Sequence, residues 1–162
     1  MKCFLLLVLC CCGWLLSAAE WASSYSSAKK QALRENKKIL IFFSGSDWCE
    51  AGRNLNRDLF RTRAFQSLAN EKYVLYNADF PKYSRLGPET EAQNKRLARQ
   101  YGIHRFPALV VVDPKFGGLL VKQVGMTDMT PKKLLERLSR IEKTPLRSKW
   151  ETPAESGGKT DK

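Results

Sequence analysis

The apolar run Ile39-Leu40-Ile41-Phe42-Phe43 constrains the fold more than any other stretch of this chain. Five consecutive apolar residues, rich in β-formers, indicate a strand that is buried on both of its faces. Such a strand requires a sheet with packing layers above and below it. The next four residues, 44–47, have the composition of a turn, so we expect the strand to end there.

The rest of the chain alternates between helical and extended patterns. Apolar spacings of three and four residues predict helices at 21–36, 54–60, 64–69, 89–100 and 131–141. Runs of β-forming residues predict strands at 73–80, 108–112 and 119–124. Helices between the early strands imply parallel pairing, and the short turn at 113–118 implies an antiparallel hairpin. We therefore predict an α/β domain with a central mixed β-sheet flanked by helices on both faces.

The two ends of the chain differ in composition from this domain. Residues 1–19 have a basic start at Lys2, an apolar run and small residues before Glu20, a pattern typical of a cleaved secretory signal peptide. An uncleaved membrane tether is the alternative, although about 14 apolar residues are fewer than the roughly 20 that span a bilayer. We expect a folded domain over 20–142 and a disordered tail over 143–162, which is rich in Pro, Ser, Gly and charges.

Cysteine usage singles out one thiol. Four of the five cysteines lie between Cys3 and Cys12 and would leave with the signal peptide, so that Cys49 remains alone. A lone cysteine in an exported protein is buried and inert, paired with another molecule, or reactive. Cys49 lies between a turn and a helix, where unpaired backbone N–H groups and the helix dipole stabilise an anion. We favour a reactive, accessible thiolate, and an inert buried side chain is the alternative.

The residues that follow Cys49 are expected to set the environment of its thiolate. These four residues are Glu50, Ala51, Gly52 and Arg53. The amide groups at the start of the helix stabilise negative charge, and Arg53 adds a cation one turn further on. The carboxylates of Asp47 and Glu50 act in the opposite direction.

Two segments resemble landmarks of the thioredoxin superfamily. An apolar strand, then Gly45-Ser46-Asp47-Trp48-Cys49, then a helix is similar to the F-x-G-S-D-W-C-x-x-C motif of exported bacterial thioredoxin-like proteins, often described as disulfide isomerases. The segment from Tyr101 to Ala108 resembles the one that ends, in those proteins, in a cis-proline beside the active cysteine. The resemblance extends over roughly 25–141, and the two motifs together imply a thioredoxin-like fold.

The resemblance also implies roles for individual residues. Cys49 would attack or capture disulfides of client proteins, and Pro107 would be the cis-proline that shapes the groove for an extended client peptide. Trp48 and Phe106 would line the same client-binding surface. The sequence leaves alternatives open, since Trp48 is equally suited to packing, Phe106 to the core, and Pro107 to an ordinary trans bond opening a strand.

The chain departs from the family motif at the second cysteine, which would fall at position 52, where the chain has Gly52. A dithiol enzyme attacks with one thiol and resolves the mixed disulfide with the other. Without the second thiol, release needs an external thiol reductant or a thiol of the client. We therefore expect isomerase-like exchange or covalent capture through Cys49, without dithiol oxidoreductase activity. A redox-inactive protein-binding module is the alternative.

Charge and ligand residues narrow the range of partners. The chain has 28 Lys+Arg against 16 Asp+Glu and a formal net charge of +12, but the cations are scattered over helix exteriors without an aromatic-interleaved motif. We expect client proteins as partners. We do not expect the chain to bind nucleic acid, or a membrane once the signal peptide has been cleaved. His104 is the only histidine, so with Cys49 it supplies too few ligands for zinc, and we expect no metal or cofactor. The resemblance implies a periplasmic or secreted location.

Overall fold

A computed structural model of the chain describes residues 18–127 and 129–141. Most of the predicted signal peptide and the whole predicted tail lie outside these residues. The strands are β1 (Lys38–Ser44), β2 (Tyr73–Asp79), β3 (Ala108–Val112) and β4 (Leu119–Val124). The α-helices are α1 (Tyr25–Glu35), α2 (Glu50–Leu55), α3 (Arg63–Lys72), α4 (Pro88–Tyr101) and α5 (Pro131–Arg140), and a π-helical turn (Asn56–Phe60) extends α2.

The four strands form one mixed sheet in the order β2-β1-β3-β4. β1 pairs in parallel with β2, because the chain crosses over through helices between them. β3 runs antiparallel to both β1 and β4, and β4 returns through the short turn after Val112. The prediction of a mixed sheet with parallel early strands and a final hairpin is confirmed.

Successive side chains of β1 point to opposite faces of the sheet and bury two separate cores. Ile39, Ile41 and Phe43 join the core under α1 and α4, whereas Leu40 and Phe42 join the core under α2, α3 and α5. All five side chains are at most 5% exposed. The uninterrupted apolar run is thus explained by a strand that both helical layers cover.

The N-terminal helix begins later than predicted. Ser24 caps α1 by accepting a hydrogen bond from the Ser27 backbone N–H, so the helix starts at Tyr25. Trp21 is instead extended and forms an isolated parallel bridge with Leu75 of β2. Its ring packs against Phe42 and Phe60 at centroid distances of 6.2 and 5.3 Å. The apolar spacing that indicated a longer helix therefore comes from core contacts of an extended segment.

The helix after Cys49 is longer than predicted and changes its winding. α2 already begins at Glu50, and the following turn is π-helical, with the Arg61 backbone N–H donating to Asn56 O at 3.1 Å. Leu55 and Leu59 face the core as expected, and the exposed Arg57 faces outward. Within the described residues, no helix combines the length and the apolar character needed to cross a membrane.

The end of α4 positions the loop that leads into β3. Gly102 terminates the helix in the left-handed conformation, with φ of 60°, as the sequence predicts for this position. Lys122 of β4 donates hydrogen bonds from Nζ to the carbonyl oxygens of Tyr101 and Gly102, at 2.7 and 2.8 Å. This lysine ties the last turn of α4 to the sheet, and the chain then reaches Pro107 at the edge of the candidate site.

Candidate functional site

Cys49 occupies the N-cap position of α2, at the carboxyl end of β1. Its backbone N–H donates to Gly45 O at 2.7 Å, closing the turn that connects strand and helix. The Sγ atom makes no capping hydrogen bond. The residue is buried, with only 7% of its surface exposed, so the expectation of an accessible thiol is wrong.

Gly52 lies close to both the Cys49 sulfur and Pro107. A Cβ atom built on Gly52 would lie 3.6 Å from Cys49 Sγ, 3.7 Å from Pro107 Cβ and 3.7 Å from Phe42 Cζ. These are ordinary van der Waals distances. The peptide bond between Phe106 and Pro107 is cis, which confirms the predicted cis-proline. The fold therefore brings together the thiol, the glycine at the second cysteine position of the motif and the cis-proline.

Trp48 serves as a packing anchor. Its indole Nε1 donates to Phe80 O at 2.7 Å, and its ring meets that of Phe106 edge-on at a centroid distance of 5.6 Å. The ring also lies over Gly45, so close that no side chain fits there. The Lys82 ammonium lies over the indole, with Nζ 4.4 Å from the centroid of the Trp48 ring. The half-buried Trp48 thus connects the thiol turn to the cis-proline loop and to the loop after β2.

Phe106 is half-buried and packs against one of the two cores. Its ring contacts Phe80 at a centroid distance of 5.1 Å in addition to Trp48. Phe80, which the sequence analysis did not include, is therefore a central contact of the site. The sequence does indicate that the strand ends here, because Pro81 cannot continue the sheet. An aromatic residue directly before that proline, at the end of a strand, was the available signal for Phe80.

A groove of about 610 Å³ opens beside the cis-proline. The residues that line it are Ala51, Arg105, Phe106, Pro107, Gln123, Val124, Gly125, Met126 and Thr127. Cys49 is not among them, although Ala51 is its near neighbour on α2. The Pro107 carbonyl is already engaged, since the Gly125 backbone N–H donates to it at 2.8 Å. The Pro107 carbonyl therefore pairs with the loop after β4.

Asp47 has a different role from the one expected. Its carboxylate accepts hydrogen bonds from the backbone N–H groups of Lys82, Tyr83 and Ser84, at 2.8–3.0 Å, and faces the loop 81–86. Partial desolvation tends to raise the pKa of Asp47, but these hydrogen bonds outweigh it and lower the pKa below its ordinary value. Asp47 therefore fastens a loop next to the thiol, a role that its position in the turn did not reveal.

This contact predicts an acid-dependent contribution to stability. A carboxyl group with a lowered pKa in the folded state stabilises the fold above its unfolded pKa, near 3.9, and the effect is lost as the pH falls through the folded value. We expect Asp47→Asn to lower the melting temperature above about pH 5, with a difference from wild type that shrinks toward about pH 2. Thermal unfolding of both chains across this range tests it; a difference that is constant with pH would contradict the assigned role.

A second carboxylate, Asp79, fastens the other half of the turn. Its Oδ1 accepts from the Ser46 backbone N–H at 2.9 Å and its Oδ2 from the Ser46 hydroxyl at 2.6 Å. Ser44 Oγ lies 2.9 Å from Asp79 Oδ1. Local sequence patterns do not reveal this contact, because it joins positions more than 30 residues apart. Asp47 and Asp79 together fix the turn that presents Cys49.

Three of the four other residues predicted around the thiol lie on the exposed side of α2. Glu50, Ala51 and Arg53 are exposed, and Gly52 is buried. The Arg53 backbone N–H donates to Cys49 O at 3.2 Å, which places Arg53 one helical turn from the thiol. In the described part of the chain, no group of three or more His, Cys, Asp or Glu side chains is arranged to hold a metal ion.

Known proteins share this sequence pattern. Residues 20–114 match the family model described as thioredoxin-like. A disulfide bond reductase, DsbH, of Chlamydia pneumoniae is 30% identical over 94 residues, which cover 58% of this chain and 56% of that protein. Nucleoredoxin of Xenopus laevis is 31% identical over 111 residues, covering 60% of this chain and 26% of that protein. The chain thus spans about half of the first relative and about a quarter of the second.

Solved structures share the same arrangement. A DsbH oxidoreductase superposes with a TM-score of 0.68 at 25% identity, covering 78% of this chain and 86% of that one. A disulphide isomerase from Xylella fastidiosa Temecula1 gives a TM-score of 0.55 at 22% identity, covering 76% and 94%, and shows the common fold. The family model matches more than half of the chain, and the strand order and the cis-proline near a thiol at a helix start agree with that match. The chain therefore belongs to the thioredoxin-like family.

Proposed function

We propose that this protein is exported and engages client proteins by thiol–disulfide exchange through the single thiol of Cys49. The observation that carries the proposal is that the Cys49 sulfur and the Cβ atom of cis-Pro107 lie 3.6 and 3.7 Å from the position that a Cβ atom would occupy on Gly52. The relatives named as a disulfide bond reductase and a disulphide isomerase support chemistry on thiols or disulfides. Phe106 and Pro107 line the groove that would take the client, and the half-buried Trp48 packs against Phe106.

The chemistry needs only one sulfur of the protein. The Cys49 thiolate attacks a client disulfide, so that one S–S bond forms as another breaks and a client thiolate leaves. Cys49 lies at the start of α2, where the N–H groups of the first helical turn have no intrahelical partners. A second client thiol, or a small external thiol, then attacks the mixed disulfide and Cys49 leaves as a thiolate. Attack by the client's own thiol rearranges its disulfides without net oxidation or reduction.

The low exposure of Cys49 favours a second candidate function. A thiol that is 7% exposed and absent from the lining of the groove is also what a redox-inactive module would have, with a groove that binds proteins without a covalent step. The two functions differ in whether a disulfide reaches Sγ in the folded chain.

Reaction with an aromatic disulfide separates these functions. We expect native protein to release thionitrobenzoate from dithionitrobenzoate without being unfolded in urea, because the proposed function requires a disulfide to reach Cys49 Sγ in the folded chain. A Cys49→Ser chain provides the background from any other cysteine. A reaction that appears only after unfolding would leave the binding module as the function.

Export and processing complete the proposal. Cleavage after Ala19 would leave a mature chain that begins with the segment packed on β2, where the Ala22 backbone N–H donates to Leu75 O at 2.8 Å. Trp21 would thus be retained in its contact with Phe42 and Phe60. N-terminal sequencing of the protein recovered from the periplasm or medium of expressing bacteria tests this, and a chain that keeps residues 1–19 would favour the membrane tether.

A further inference from the structure

We propose that loop 81–86 and Arg105 form a client-selecting surface that favours disulfides lying within acidic segments. The inference rests on the proposed function, since it names the class of client that reaches Cys49. It starts from an exposed aromatic residue: Tyr83 is 84% exposed, although it lies on a loop fastened beside the site. Nothing in the packing of the fold accounts for a tyrosine in this position.

Backbone contacts order this loop, so that the exposed Tyr83 side chain is available to bind. The Asp47 carboxylate holds the backbone N–H groups of Lys82, Tyr83 and Ser84, and none of these bonds uses the Lys82 or Tyr83 side chain. An ordered loop presents a tyrosine at low entropic cost, and tyrosine supplies a large contact area with few rotatable bonds. Tyr83 therefore has the properties of a docking residue.

The loop is directly connected to the thiol turn. Asp47 and Trp48 immediately precede Cys49 in the chain, and Lys82 Nζ lies 4.4 Å from the Trp48 ring centroid. A peptide whose disulfide reaches Cys49 must pass close to these residues. The loop therefore contacts the chain of the client on one side of its reacting cysteine.

Cations dominate the exposed charges of loop 81–86 and of the cis-proline loop. Loop 81–86 carries exposed Lys82 and Arg85 and no acidic residue. The Phe106 ring contacts Phe80, which precedes this loop, and the adjacent Arg105 is exposed and is the one charged side chain among the described residues that line the groove. Asp47 is committed to its backbone hydrogen bonds, which leaves Glu50 as the exposed carboxylate next to Cys49.

This charge pattern identifies the occupant as an acidic peptide segment. Complementary charges raise the rate of encounter and reject like-charged partners, and salt weakens both effects. A basic client would bring its cations against Lys82, Arg85 and Arg105 with few carboxylates to offset them. An acidic segment meets the cations Lys82, Arg85 and Arg105, and Tyr83 adds apolar contact.

Two matched peptides test the inference. Each carries one cysteine as a mixed disulfide with thionitrobenzoate, flanked by glutamates in one peptide and lysines in the other. We expect Cys49 to displace thionitrobenzoate from the acidic peptide about tenfold faster at low salt, and the preference to shrink as salt is added. Lys82→Glu with Arg85→Glu should abolish or reverse the preference, and Tyr83→Ser should slow both peptides. Reversal of Lys29 and Lys30, exposed on α1, changes the net charge equally and should leave the preference intact.

A binding measurement tests the preference for acidic peptides without requiring disulfide exchange at Cys49. Fluorescence anisotropy with the Cys49→Ser chain and labelled peptides, in which serine replaces the cysteine, should show several-fold tighter binding of the acidic peptide. Equal binding of both peptides would overturn the inference, as would a preference that the Lys29 and Lys30 reversal removes equally well. Preferential binding without any thionitrobenzoate release, even from the small disulfide, would instead overturn the proposed function and leave the selecting surface standing.

Discussion

A chain carrying Gly52→Cys is expected to reduce insulin disulfides with dithiothreitol as electron donor, at least about tenfold above the background of the parent chain, because a second thiol can resolve the mixed disulfide. The structure accommodates the substitution. The new Cβ would lie 3.6 Å from Cys49 Sγ and 3.7 Å from Pro107 Cβ, without a steric conflict. The new thiol and Cys49 would be separated by two residues on the first turn of α2, where a disulfide between them can close.

The oxidised variant provides an independent check on this geometry. Formation of the Cys49–position 52 disulfide should lower the mass of the folded chain by two hydrogen atoms. Gly52→Ser is the matched control, since it fills the same space with a hydroxyl group that cannot resolve a mixed disulfide. A folded Gly52→Cys chain that neither loses this mass nor reduces insulin would show that the assigned corner of the fold is wrong.

The sequence predicted the sheet because its signals are local. The run from Ile39 to Phe43 has no polar interruption, so it could only be a strand covered on both faces, and the structure covers it with two helical layers. Gly102 at the end of α4 and Thr130 at the start of α5 both act as caps, as glycine and threonine commonly do at helix boundaries. The cis bond before Pro107 followed from the resemblance of its segment, because X–Pro bonds alone favour trans.

Contacts between segments that are distant in the chain could not be predicted from the sequence. Trp21 satisfies helical spacing with Tyr25 and Ala28, yet it is held in an extended bridge by Leu75. Asp47 has the composition of a turn, and only the fold shows that it binds a loop 35 residues away. The burial of Cys49 was missed for the same reason, since its cover comes from side chains that the folded chain brings to it.

Gly45 shows how such a contact changes the meaning of a residue. Turn composition accounted for it in the sequence, and its φ does not lie in the left-handed region that favours glycine. The structure gives a steric reason instead. A Cβ on Gly45 would lie 2.2 Å from Trp48 Cε2 and 2.4 Å from Nε1, far inside van der Waals contact. The indole occupies this space while its Nε1 donates to Phe80 O.

Gly45→Ala is therefore expected to lower the free energy of unfolding by about 3 kcal/mol, at the upper end for overpacking, because the whole indole must move away from the new methyl group. The displaced ring would lose the Phe80 hydrogen bond and the edge contact with Phe106. Urea unfolding followed by circular dichroism measures the change. Gly118→Ala is the matched control, since its added Cβ meets no atom within 4 Å, and we expect a change of at most about 0.5 kcal/mol. Equal stability of the two variants would mean that the Trp48 ring does not rest on Gly45, and the anchor between the thiol turn and the cis-proline loop would then be lost from the description of the site.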